Sequence, residues 1–167
     1  MTTLLRILRL YLLALWAGGE VFFVIVAAIA FRVLPDAHTA GMVVRSALIA
    51  LHRIALYGGV IYLLATLALI ATQRDRHNAR VVEVALVAVM LALTAYSAFS
   101  VIPRMETDRL TLGGDVNAAS ADNPARRDFE RLHSFSVDLE GAVLIGSFAL
   151  LALAPIHQRR ERLQSRY

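Results

Sequence analysis

Four stretches of this chain are almost free of charge, and that governs what it can fold into. Between Arg9 and Arg32 the sole charged residue is Glu20. No Asp, Glu, Lys or Arg lies between Arg53 and Arg74, between Glu83 and Arg104, or between Glu140 and Arg159. A water-soluble four-helix bundle needs a polar face on every helix, and these stretches leave no room for one. About twenty apolar residues in a helix cross a bilayer core of about 30 Å, and each stretch reaches that length. Backbone polar groups in lipid must pair within their own segment, so the spans are helices. The expected fold is an all-α integral membrane four-helix bundle with spans of roughly 10–31, 54–73, 84–102 and 134–154. Its connections are short, apart from one longer outer loop.

The totals agree and exclude several chemistries. Of 167 residues, 58% are hydrophobic and 18% charged, against about 45–50% and about 25% in soluble domains. Cysteine is absent, which removes disulfides, thiolate metal sites and covalent haem attachment. The net charge is +4, with seventeen arginines and no lysine. These arginines flank the apolar runs, so they read as anchors at a membrane surface rather than a nucleic-acid face. Arg6 and Arg9 before an apolar run resemble a signal peptide. The run continues to Phe31, however, too long for a secretory h-region of about 7–15 residues, and reads as a retained first helix.

The loops carry ordinary stop signals. Leu34-Pro35-Asp36 is expected to end the first helix and Ile102-Pro103-Arg104 the third. Asn123-Pro124 reads as an N-cap followed by a proline at the first position of the fourth helix. The second helix is expected to start near Met42. The segment from Arg74 to Arg80 reads as a short hairpin, and Met105–Asn123, with Gly113-Gly114, as a flexible linker. No repeat or second domain is visible, so residues 1–167 form one expected domain. Nine arginines fall on the side of both termini and eight on the other. The latter are spread over longer segments, which favours cytoplasmic termini in the cytoplasmic membrane. The opposite side is called outer here.

Ionisable groups inside spans are costly and by default mark a site. Glu20, Asp138 and Glu140 qualify as a polar pocket or proton relay, with Tyr96, Ser100 and Arg45 towards the outer side. Leu13, Trp16, Glu20 and Phe23 share one helical stripe. The structural alternative for Glu20 is a neutral carboxyl hydrogen-bonded to a neighbouring helix. In the fourth helix, His133, Ser136, Glu140 and Ser147 form a polar stripe. Asp138 points away from it, towards a close-packing seam of Ala142, Gly146 and Ala149. His52 and His133 are expected at similar depth and form the candidate ligand pair. One reading is haem b between them, with Gly59 letting a flat macrocycle approach the backbone. Another is a divalent metal completed by Tyr96 or His38. The structural alternative is two interfacial histidines beside Arg53 and Arg131.

Trp16-Ala17-Gly18-Gly19 with Phe22-Phe23, then Leu51-His52-Arg53, Ile102-Pro103-Arg104 and Leu132-His133-Ser134, occur in order across nearly the whole chain. Together they resemble the bacterial branch of the transmembrane-protein-205-like membrane proteins. The resemblance implies a compact four-helix membrane protein with no established reaction. Three functional readings stand. The protein is a haem- or metal-binding module, a small proton- or cation-coupled transporter, or a structural partner in a membrane assembly. Its expected partners are the lipid bilayer and a second copy or another membrane protein, with no nucleic acid. No catalytic motif is present.

Overall fold

The computed structural model describes residues 2–72 and 77–164, the side chains of 77–79 and 154–164 excepted. Helix α1 spans Thr2–Val33, α2 Ala37–Thr72, α3 His77–Tyr96, α4 Ile102–Thr111 and α5 Pro124–Gln164. A π-helical turn, Ser97–Val101, joins α3 to α4, and a short 3-10 turn, Val116–Ala118, precedes α5. No strand occurs among the described residues. Among the described residues, four helical segments are long and apolar enough to cross a membrane: Thr2–Val33, Ala37–Thr72, Arg80–Thr111 and Pro124–Leu153. The protein is an all-α, multi-pass membrane protein.

Each helix of the bundle packs chiefly on two others, in the ring order α1, α2, α3, α5. Helices α2 and α5 therefore stand on a diagonal, as do α1 and α3. The α1–α2 hairpin has a definite register, since Gly19 lies against Leu51, Gly58 against Leu12 and Arg9 against Tyr62. The middle of the bundle is an apolar layer built from Leu13, Trp16, Ala55, Val87, Met90 and Val143. Two glycines set its spacing. A Cβ on Gly59 would stand 2.8 Å from Trp16 Cζ3 and 2.6 Å from Leu91 Cδ2, and one on Gly146 2.8 Å from Met90 Sδ. The slot at Gly59 is thus filled by the protein's own indole ring, which leaves no place there for the flat macrocycle considered above. A second apolar layer of Leu48, Leu51 and Ile102, beside Val101, Leu132 and Leu139, closes the end of the bundle that carries the loops.

Several local expectations need correction. Helix α2 starts at Ala37, not near Met42, because Asp36 caps it: Thr39 N donates to Asp36 Oδ1 at 2.7 Å and Thr39 Oγ1 to Oδ2 at 2.9 Å. Pro103 does not end the third span. Proline lacks the N–H that would bond four residues back, and the chain takes a wide turn there, with Ile102 N–H bonding the Ser97 carbonyl. The helix then continues as α4. The segment 105–123 is not a featureless linker. Beyond α4 it turns at Gly113 (φ 73°) and Gly114 (φ 98°), whose N–H groups bond the carbonyls of Leu110 and Arg109. That arrangement is a helix C-terminus favouring glycine. Asn123 caps α5 through Ala125 N at 2.9 Å, with Pro124 first in the helix as expected. In α5 the packed face is Leu139, Val143, Gly146, Ser147 and Leu150, whereas Ala142 and Ala149 are exposed. Arg74, Arg76 and the side chains of Arg159, Arg160 and Arg162 lie outside the described residues.

Candidate functional site

Helix lengths decide which polar groups meet. His52 stands fifteen residues into α2, while His133 stands nine and Glu140 sixteen residues into α5. At 1.5 Å per residue, the level of His52 on the diagonal partner belongs to Glu140. His52 Nε2 meets Glu140 Oε1 at 2.6 Å. His133 is about 10 Å away along α5, exposed and stacked on Phe129 with ring centroids 6.3 Å apart. The two histidines are not brought together. A two-histidine axial site requires both imidazoles to face one plane, and this geometry does not offer that.

What the fold assembles instead is a cluster in the bundle interior, one side chain from each spanning helix. Ser97, fully buried, reaches Glu140 Oε1 from the π-helical turn at 3.3 Å. Glu20 in α1 is 2% exposed and follows Gly19, which packs on Leu51 beside His52, so it stands at the level of His52. His52 is likewise 2% exposed, and Glu140 is the most open member, its side chain 13% exposed. One nitrogen here remains unused: His52 Nδ1 is buried without a hydrogen-bond partner among the described residues. Such atoms are uncommon in native interiors, and each calls for a physical reason. The π turn belongs to this site, because single wide turns inside α-helices recur at functional positions.

The other expected site residues fall elsewhere. Tyr96 is half-exposed and meets Phe135 edge-on at 6.2 Å. Ser100 is partly buried within the π turn. Arg45 lies towards the loop end, its Nε 3.3 Å from Glu106 Oε2. Asp138 is exposed on the outward face of α5, apart from the cluster, so a relay through all three carboxyls does not form. Gly59 and Gly146 both sit in the close-packed middle layer, Gly59 beneath Trp16. The pocket expected to open outward is instead covered by Leu48, Leu51 and Ile102.

A second buried polar group escaped the sequence reading. Arg9, Tyr62 and Glu83 meet on the opposite side of the middle layer, nearer the chain termini. Arg9 Nη2 donates to Tyr62 Oη at 3.2 Å and to Glu83, and Tyr62 Oη donates to the same carboxylate oxygen of Glu83. The guanidinium also lies 5.0 Å from the Tyr62 ring centroid. Arg9 and Glu83 bound charge-free runs in the sequence, and Arg9 reads there as a surface anchor. The available signal was Tyr62, an aromatic hydroxyl inside a span, which usually needs a partner when buried.

Residues 11–109, more than half of the chain, match the family described as Domain of unknown function (DUF4149). The chain belongs to that family. The matched stretch includes Trp16, Glu20, His52 and Ser97 of the interior cluster, as well as Tyr62 and Glu83, whereas Arg9 and Glu140 lie beyond its limits. No curated protein and no solved structure matches.

Proposed function

We propose that the cluster of Glu20, His52, Ser97 and Glu140 is an intramembrane proton-exchange site, and that the protein is a small proton-coupled transport element. The observation that carries this reading is the 2.6 Å contact between His52 Nε2 and Glu140 Oε1 beside a second buried carboxyl, Glu20. Two carboxyls and one imidazole balance only when the three share two protons, one on Glu20 and one making His52 an imidazolium against ionised Glu140. Removing a proton leaves one uncompensated negative charge in a medium where each such charge is expensive. The site therefore holds its second proton until a neighbouring element moves or water enters. Carboxylate and histidine chains of this kind recur in membrane pumps and transporters. His52 Nδ1, without a partner, is the free position through which the imidazole can pass a proton on.

The test uses the purified full chain in liposomes with a pH-sensitive dye inside and an imposed membrane potential. Proton entry above that of empty vesicles is expected. Glu20→Gln and Glu140→Gln should each reduce it at least tenfold while the helical circular dichroism persists. Wild-type liposomes no leakier than empty vesicles would reject the reading.

A further inference from the structure

Two charged residues stand among exposed apolar side chains of the spans, outside both polar clusters. Arg53 in α2 and Asp138 in α5 are exposed, and neither makes an ion pair or hydrogen bond among the described residues. Their depth follows from the His52–Glu140 contact. Helices α2 and α5 run in the same direction, Arg53 stands one residue beyond His52, and Asp138 two residues before Glu140. The two charges therefore lie within about 4.5 Å of the same level. Because α2 and α5 are diagonal, they stand on opposite corners of one molecule. Both corners are otherwise apolar. Ile54, Tyr57 and Leu64 surround Arg53 on one, and Val137, Ile145 and Phe148 surround Asp138 on the other, all more than 45% exposed.

We propose that the occupant of the α5 corner is the α2 corner of a second copy of this chain, with Asp138 of one molecule paired to Arg53 of the next. The short aspartate side chain, about 10 Å below Arg131 along α5, cannot reach headgroups in the way a long arginine does. An ionised carboxylate facing acyl chains is costly. A cation at matching depth on an equally apolar face removes that cost, and charge complementarity then fixes which faces meet. Opposite corners make the contact heterologous, so the assembly runs head to tail and closes as a ring or extends as a row. It is independent of the proton-exchange site, whose residues all face the bundle axis.

The chain has no cysteine, so introduced thiols report without background. Copies carrying R53C and copies carrying D138C, separately tagged and co-expressed, are expected to form a mixed disulfide dimer on oxidation in membranes, and neither variant alone to do so. The double variant R53C/D138C should give a ladder. Because these changes also remove charge, a charge swap supplies the second measurement. R53D or D138R should each weaken association about tenfold in nanodiscs or mild detergent, equivalent to about 1.4 kcal/mol, and R53D/D138R together should restore it. Absence of the mixed dimer, dimers formed as readily by either single variant, or a swap that fails to restore the wild-type mass would each overturn the proposal.

Discussion

The two polar layers of the bundle are built from similar side chains and settle their charges in opposite ways. Near the termini, Arg9 and Glu83 are one cation and one anion, and Tyr62 places its hydroxyl between them. Near the loops, Glu20, Glu140 and His52 are two acids and one weak base, with one imidazole nitrogen left over. A matched pair has every reason to stay as it is, since separating it strands a charge in a poor solvent. An unmatched trio changes its proton number at lower cost than the pair. On the proposed reading, one layer holds the bundle together and the other exchanges protons.

The largest effect should come from breaking the matched layer. Arg9 and Glu83 side chains are 15% and 5% exposed, and removing one partner of a buried pair costs about 3–5 kcal/mol. Glu83→Gln is therefore expected to lower the thermal midpoint in detergent sharply. Glu20→Gln, a neutral isostere of the protonated carboxyl, strands no charge and should leave it nearly unchanged. Equal losses in the two variants would erase the distinction between the layers.

A middle-sized effect is expected at the apolar layer between them. Gly59→Val pushes a branched side chain into Trp16 and Leu91, and overpacking of this kind costs about 1–3 kcal/mol. Tryptophan fluorescence should shift, because Trp16 is the sole tryptophan. If spectrum and midpoint both stay put, the glycine is not what lets the indole lie between the layers.

The smallest effect is a control that touches neither layer. The Thr39 N–H and hydroxyl hold the Asp36 carboxyl below the usual carboxylate range. A lowered folded-state value gives stability that is complete above the ordinary range and fades as pH falls through the lowered one. Asp36→Ala should cost little at neutral pH, and its difference from wild type should shrink on acidification. A difference that grows in acid would reverse the sign.

Much of the architecture was legible in the charge-free runs, because lipid forbids polar backbone and polar helix faces alike. The caps were partly legible too: Asn123-Pro124 acts as expected, and Asp36 acts earlier than expected. Register was the weak point. Starting α2 near Met42 placed His52 level with His133, whereas the true start at Ala37 carries it down to Glu140. A helix five residues longer relocates a candidate ligand by about 7.5 Å, and the proposed pair dissolves. Arg9 and Glu83 were misplaced for a related reason. The last charge before an apolar run reads as the membrane boundary, yet long helices place such residues inside the bundle whenever a partner waits at the same level. The continuation of α3 past Pro103 had no sequence signal beyond the proline itself, which more often ends a helix than widens it.

The wide turn at Ser97–Val101 stores one residue of slack in the third span. Were it to tighten to ordinary helical pitch, all that follows would rotate by about 100° relative to α3. Ser97 would then swing off the Glu140 oxygen it now reaches, and Glu106 off Arg45. One spare peptide unit thus couples the bundle interior to the loops above it, as a pawl couples a wheel to its stop.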